Sequence, residues 1–334
     1  MRPHVYFAAM ADDLPFRTAF LRPDAPALVP AWELLLAESP QATAWSDLTF
    51  AAHVEAALGL PVQVAAVWED EVLRAGAVLY EKRKGPYRAA ALPPLVQYVT
   101  PLLDAPLRET DVNHRRSALD VLLAAIAEAF DQAQLVLHPS LDDARVLQWN
   151  GWDVTPAYTY RIDLSTDAVT SGWSSTPKHT WKKERDAFEV KEGAAWTSEA
   201  VTLVEASLSR QDEAMDVEPE AAWALVRALA EDGLVRVFVA RRDGEPEAGL
   251  FVLSDGRTAH YWLAGSVPGP AMTVLVGEVL ARLRDDGLAY FDLVGANVPT
   301  IAEFKRKFGS TLVPYFRARH VARPELRLFD RLRR

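Results

Sequence analysis

The sequence contains no cysteine. That absence removes disulfides, thiolate nucleophiles and cysteine-bound metals together, and it suits a reducing compartment. Long apolar runs are missing as well. No window nears the roughly 18 apolar residues that span a bilayer, and the opening MRPHVYFAAMADDL turns acidic too early for a signal peptide. A cytoplasmic protein without a transmembrane segment is the expectation. The seven histidines show no H-x-x-x-H or paired-carboxylate spacing, so no metal site is expected. Neither a G-x-S-x-G elbow nor a P-loop is present, and no serine has an evident base beside it.

What is present is a chain of 334 residues, half of them hydrophobic. That is enough for two cores of about 150–170 residues each. The net charge of −10 argues against a DNA-coating role. Cations are nevertheless clustered. Lys178, His179, Lys182, Lys183 and Arg185 form one group, and ten Lys/Arg lie between Ile301 and Arg334. Such clusters are solvated helix faces or sites for an anionic ligand such as phosphate. The basic C-terminus also suits peripheral contact with a membrane.

A repeat runs through the chain. AVWEDEVLRAGAVLY (66–80) lies over VARRDGEPEAGLFVL (239–253) without a gap, with Gly76 and Gly249 in register at an offset of 173. Each segment reads as a hairpin, and each is followed by an amphipathic helix. Leu119, Leu122, Leu123, Ile126 and Phe130 share a face in the first; Met272, Leu275, Val276, Val279, Leu280 and Leu283 do so in the second. Strands follow at Leu135–His138 and Tyr290–Leu293. Gly151 and Pro156 then match Gly309 and Pro314 at an offset of 158. The shorter offset leaves about fifteen extra residues in the first copy, the stretch LPPLVQYVTPLLDAPL. Tandem duplication of an α–β–β–(β)–α–β–α–β unit is the expectation. The boundaries read as an extension or edge strand over 1–25, a first domain over 26–163, a second over 164–322 and a basic tail over 323–334. The junction falls in the turn-rich Arg161–Ser175.

The stretch DGLAYFDLVGANVPTIAEFKRKFGSTLVPYF (286–316) joins a buried strand ending at Asp292 to a turn at Gly295 and a helix bearing Lys305, Arg306 and Lys307. Gly309 ends that helix and an aromatic strand follows. Cations beyond a strand-end carboxylate suit the holding of a developing negative charge. The other reading is an ordinary αβ corner with solvated lysines.

Two such units, the second carrying Phe291, Asp292, Gly295, Phe304, Lys305, Phe308, Gly309 and Tyr315, resemble the FemAB-like branch of the GNAT acyltransferase superfamily. The resemblance covers roughly residues 25–322. It implies an α/β (α+β) fold of two tandem GNAT-like domains, each a mixed central sheet flanked by helices. It also implies transfer of an acyl group to an amine. In the Fem proteins the donor is aminoacyl-tRNA and the acceptor a peptidoglycan precursor; other relatives are treated as acetyltransferases. The partners implied are a small-molecule or lipid-linked anionic precursor, with tRNA or acetyl-CoA as donor and no tightly bound cofactor. The long coiled-coil arm typical of Fem proteins has no counterpart, since no sustained heptad occurs.

By this resemblance Lys305 would hold the oxyanion formed when an amine attacks a carbonyl, and Asp292 would accept or orient the amine's proton. Asp292 has a second reading, as a strand-end carboxylate bonded to the turn at Gly295–Asn297. Lys307, two residues on, is less well placed than Lys305. Arg210 and Gln211, on a helix, match positions where relatives carry an Arg near the acceptor; an exposed helical Arg is the alternative. Gln97 and Tyr98 lie in the proline-rich insert, which is too apolar for a free linker and would close over the groove between units. Tyr261, on the strand before Gly265, is a binding candidate or core packing. Gly269 in SVPGPAMT (266–273) is the candidate for close approach of a CoA pyrophosphate, although Pro268 and Pro270 offer no N–H there.

Overall fold

The computed structural model describes residues 15–104, 112–166, 168–211 and 215–323. The candidate basic tail beyond Arg323 and most of the N-terminal extension lie outside the described residues. In chain order the first half contributes β1 (Phe16–Leu21), α1 (Leu28–Glu38), α2 (Leu48–Leu58), β2 (Val62–Glu69), β3 (Val72–Lys84), β4 (Tyr87–Ala91) and β5 (Leu102–Leu103). It continues with α3 (Val112–Ala129), β6 (Gln132–Val136), α4 (Arg145–Trp149) and β7 (Asp153–Asp163). The second half contributes α5 (Ser175–Glu184), β8 (Glu189–Glu192), α6 (Thr197–Gln211), α7 (Pro219–Glu231), β9 (Val235–Arg242) and β10 (Glu245–Ser254). β11 (Thr258–Ser266), α8 (Ala271–Asp285), β12 (Tyr290–Asp292), α9 (Pro299–Arg306) and β13 (Thr311–Val321) complete it. After α5, the second half repeats the order of the first, with β11 in the place that β4 and β5 share.

Local chemistry accounts for the boundaries that the sequence marked. Asp47 caps α2 by accepting the N–H groups of Thr49 and Phe50 at 2.7 and 2.9 Å, and Gly59 ends it at φ 65°. Such a cap stabilises a helix by about 1 kcal/mol. The Ala-Gly of each hairpin has a steric cause. A Cβ on Gly76 would come within 2.6 Å of the Trp32 ring on α1, and one on Gly249 within 2.8 Å of the Ala200 backbone on α6. A glycine lets the helix lie directly on the sheet at both places. The registers agree too: Ala66 faces Gly76 and Val239 faces Gly249, each pair 173 residues from the other.

All strands join one mixed sheet in the order β1-β2-β3-β4-β6-β13-β7-β12-β11-β10-β9-β8, with β5 paired to β3 off this path. The order reads the same from either end once each strand is replaced by its repeat counterpart. The middle is exchanged: β13 of the second half pairs with β6 of the first, and β7 of the first pairs with β12 of the second. β7 and β13 pair antiparallel about Ala157 opposite Tyr315, with Pro156 facing Phe316 and Tyr158 facing Pro314. These positions map onto each other at the offset of 158, so the seam has the self-complementarity of an isologous contact. A second seam joins α2 to α7, where His53 and Asp232 meet at 2.7 Å. The expected fold of two tandem units with mixed sheets and flanking helices is borne out. Among the described residues no helix is long and apolar enough to cross a membrane.

Candidate active site

The parallel strands β11 and β12 are in register only from Thr258–His260 to Tyr290–Asp292. β11 then continues to Ser266 beside β10, whereas β12 stops. β12 stops because its backbone kinks at Val294, although Leu293 and Ala296 still donate to the Tyr160 and Tyr158 carbonyls of β7, each at 2.8 Å. The Asp292 carboxylate takes the N–H of Val294 at 2.8 Å, and Val294 sits at φ 49°. A β-branched residue in the left-handed region is costly, by about 1–3 kcal/mol. Two side chains hold it there. Asp292 takes the Val294 N–H, and the Lys305 ammonium donates to the Val294 carbonyl and, at 3.1 Å, to the Gly295 carbonyl.

Asp292 is fully buried. Its carboxylate also receives the hydroxyls of Thr159 at 2.5 Å and Tyr98 at 3.1 Å. Burial first, and then the Asp292 charge, push the Tyr98 phenol well above its ordinary range, so it remains a donor. Tyr98 reaches this point from the first half. The chain leaves β4 at Ala91, loops out, bridges Val136 of β6 at Val99 and pairs with β3 from Leu102. Leu95, at φ 67°, turns the loop, and its carbonyl accepts the indole N–H groups of Trp45 (3.3 Å) and Trp262 (2.7 Å). One carbonyl thus ties the insert to both halves. Gln97 and Asn297 each donate to the Tyr315 hydroxyl at 3.3 Å, and Asn297 also brackets the backbone of Tyr158.

Lys305 projects from the last turn of α9 and is only 7% exposed. Its ammonium lies 5.5 Å from the centre of the Tyr261 ring, a cation–π distance. Burial lowers its pKa to about 8, against the opposing pull of Asp292. Near neutral pH it is a charged donor with two of its three N–H positions on main-chain oxygen. The Tyr261 hydroxyl meets the Met272 sulfur at 3.4 Å. Lys307 is half-buried and pairs with Glu303 at 3.7 Å.

Arg210, Gln211 and Gly269 lie elsewhere. Arg210 is exposed and bonds the Ser266 carbonyl at 2.7 Å, at the far end of β11, while Gln211 folds back onto Ser207. Gly269, at φ 145°, precedes α8 at the surface. The structure therefore brings together Lys305, Asp292, Tyr98, Gln97, Asn297 and Tyr261, and sets Lys307, Arg210, Gln211 and Gly269 apart from them. Sequence reasoning missed Thr159 and the pair Asp255–His260. Thr159 had a signal, since strand alternation puts it on the inner face of β7 with Ala157.

The first half lacks this chemistry at equivalent points. Asp292 pairs with Arg161 and Gln134 with Arg319, so Gln134 is the counterpart of Asp292. The same offset of 158 places Leu147 opposite Lys305. In β4, Ala91 occupies the position of His260.

Residues 178–306 match the family model described as an acetyltransferase (GNAT) domain. Among solved structures, the chain superposes on FemX with a TM-score of 0.69 at 11% identity, covering 90% of this chain and 96% of that one. The C-terminal domain of a putative lysylphosphatidylglycerol synthetase from Agrobacterium fabrum gives 0.57 at 16% identity over 92% and 96%. A tandem GNAT protein from the clavulanic acid biosynthesis pathway gives 0.54 at 15% over 92% and 99%. No curated protein matches the sequence. The molecule has the tandem GNAT acyltransferase fold. The FemAB-like resemblance holds at the level of that fold, which FemX shares almost end to end.

Proposed function

We propose that this protein transfers an acyl group to an amine by direct aminolysis, with the working site on the second unit at the opening between β11 and β12. The observation that carries the proposal is the buried Lys305 ammonium, held by two carbonyls of a strained turn with one N–H uncommitted. A preorganised cation in a site closed to water can stabilise a tetrahedral oxyanion by several kcal/mol. In the transfer itself the acceptor nitrogen forms a bond to the donor carbonyl carbon, the C–O or C–S bond breaks, and the amine's proton passes to the leaving oxygen or sulfur. No covalent enzyme intermediate is invoked. The aromatic lining from Tyr98, Tyr261 and Tyr315 excludes water and favours the amine over hydrolysis.

Aminoacyl ester and acetyl thioester donors both remain in the proposal, each with support. The resemblance to Fem proteins and the fold shared with a putative lysylphosphatidylglycerol synthetase favour an aminoacyl donor. The acetyltransferase domain match favours acetyl-CoA, although Pro268 and Pro270 remove two N–H groups where GNAT enzymes cradle pyrophosphate. The longest described helix, α3, has 18 residues, so no described helix forms a Fem-type arm. The acceptor is proposed to be an amine on an anionic, cell-envelope or polysaccharide precursor, drawn by the basic cluster at Lys178–Arg185. The cytoplasmic setting, and descent of the two units from one duplicated module, belong to the same proposal.

The test is a donor panel. Acetyl-CoA, longer acyl-CoAs and aminoacyl-tRNAs are each offered with amine-bearing sugar and peptide acceptors, and acyl-amide product is read by mass. Turnover with one donor class supports the proposal. Binding of anionic glycans or nucleotide-sugars without turnover across all donors would replace it with a non-catalytic binding role.

A further inference from the structure

The two units differ in the length of the hairpin that follows each Ala-Gly. In the second unit Ser254 and Ala259 are the last pair of β10 and β11, and four residues turn the chain between them. The matching pair in the first unit is Glu81 and Ala90, Glu81 lying 173 residues before Ser254, and eight residues separate these two. The extra length makes a ribbon that runs past its neighbours. Pairing of β2 with β3 ends at Val62 opposite Tyr80, and the Glu81 N–H goes to the Pro61 carbonyl at 2.8 Å. Pairing of β4 with β6 begins at Ala89 opposite Gln132, and Asp131 bonds both the N–H and the carbonyl of Arg88 at 2.9 Å. Beyond these points Lys82–Lys84 of β3 pair with β4 alone, and Gly85, at φ 59°, turns the chain with Pro86.

The ribbon is also basic where the second unit's turn is not. KRKGPYRA (82–89) carries four cations and no acid, against one Asp and one Arg in DGRT (255–258). Glu81, buried at the base, accepts from Arg83 at 2.5 Å and from Arg88 at 2.9 Å. One carboxylate is thus shared by two guanidinium groups, and the ribbon keeps a positive excess. Arg88 bonds the Ala129 carbonyl at 3.2 Å and lies 5.1 Å from the centre of the Phe130 ring, so it anchors the base. Lys82, Arg83 and Pro86 are exposed. Tyr87 is half-buried, with the Arg323 guanidinium 5.9 Å from its ring centre. Cations around a proline and a tyrosine suit the interface of an anionic bilayer. There the cations meet lipid phosphates and an amphipathic ring sits at headgroup depth.

We propose that the ribbon Lys82–Arg88 docks this protein on the surface of an anionic phospholipid bilayer. A chain of net charge −10 is repelled by such a surface as a whole, so a basic projection decides which end of the molecule meets it. Strand directions give that end a meaning. β4 and β6 run opposite to β11 and β12 across the exchanged strands, so the start of β4 and the end of β11 point to the same edge of the sheet. That edge holds the opening between β11 and β12. β13 ends there too, with Val321 opposite Gln132. Past the described residues the chain continues as PELRLFDRLRR, four arginines among leucines and a phenylalanine. The proposal stands apart from the acyl-transfer reading and keeps its test if no donor is turned over.

Vesicle sedimentation with the full chain tests this. The native protein should partition onto vesicles of phosphatidylglycerol and phosphatidylcholine, stay in solution with phosphatidylcholine alone, and be released by added salt. Each cation near an anionic surface contributes about fivefold, so Lys82→Gln combined with Arg83→Gln should lower the partition coefficient about tenfold or more. Arg227→Gln combined with Arg257→Gln removes the same charge from exposed positions of the second unit and should lower it less than about twofold. Urea midpoints check that both double variants are folded. Three results overturn the proposal. One is native protein that does not prefer the anionic vesicles. Another is an equal loss in the two double variants. The third is binding to a short RNA duplex that needs Lys82 and Arg83 while vesicles are ignored, which would make the ribbon a nucleic-acid contact instead.

Discussion

In the first unit the chain leaves the sheet at Ala91, touches it again at Val99 against Val136 and rejoins β3 at Leu102; in the second, β11 runs unbroken from Thr258 to Ser266. The detour in the first unit carries Tyr98 across the seam to Asp292 and puts the Leu95 carbonyl on Trp262. One unit thus spends its sheet opening on supporting the other. The substitutions follow the same division: Gln134, Leu147 and Ala91 stand where the second unit has Asp292, Lys305 and His260. The two units thus share a topology and differ in polar content. Strand exchange at β7 and β13 means that neither half could form this site without the other.

Variants at matched positions sharpen this comparison. The largest effect is expected at Gly265, whose Cβ would lie 2.3 Å from the Leu203 carbonyl oxygen on α6. Gly265→Ala should cost more than about 3 kcal/mol or abolish folding, measured by urea denaturation. Its first-unit counterpart facing Gly76 is a leucine, Leu102, so α1 and α6 cannot sit identically over their sheets. Next, Gly249→Ala meets the Ala200 backbone at 2.8 Å and should cost about 2–3 kcal/mol, whereas Gly76→Ala meets the Trp32 ring at 2.6 Å and backbone only at 3.1 Å, the Ala65 carbonyl oxygen, and should cost about 1–2 kcal/mol. Equal losses would contradict the asymmetry.

A third expectation concerns acid. Burial first, and then the neighbouring His260 and Arg161, lower the pKa of His138 to about 4. The unfolded chain then binds the extra proton between about pH 6.5 and 4, so stability falls as pH drops through that window. The contribution is on the order of 2–3 kcal/mol. His138→Asn, which keeps an acceptor for the Ser140 N–H, should flatten the pH dependence of Tm there. The smallest effect is expected for Tyr98→Phe, which leaves one Asp292 oxygen without its phenol donor. About 1–2 kcal/mol should be lost, visible as a lowered urea midpoint, and the cost should be absent for any substitution at Gln134 that keeps its size.

Much of the fold could be read from residues whose spacing has a local cause. Ala-Gly at 75–76 and 248–249 records the crossing of a helix over a hairpin, and Gly151 and Gly309 share φ near 70° at one offset. Strand exchange was hidden because β7 and β13 have the same lengths and alternation whichever neighbour they choose. At the site, Lys305 and Asp292 could be singled out because they flank one turn, and the insert because it is too apolar for solvent. Arg210 was placed by analogy with relatives, yet its side chain bonds the end of β11. Asp255–His260 escaped notice because five residues separate them across a hairpin turn, a spacing with no helical or metal-site period.

The claim at the centre is that the second unit's buried ammonium works on the acyl carbonyl. Lys305→Met, compared with native protein on the donor that the panel identifies, tests it most directly, with kcat measured from pH 6 to 10 and folding checked by denaturation. The account predicts a loss of about 10²–10³ in kcat and disappearance of the alkaline limb that the native lysine should impose near pH 8, where its protonated form runs out. A folded Lys305→Met variant with native turnover and an unchanged alkaline limb would contradict it.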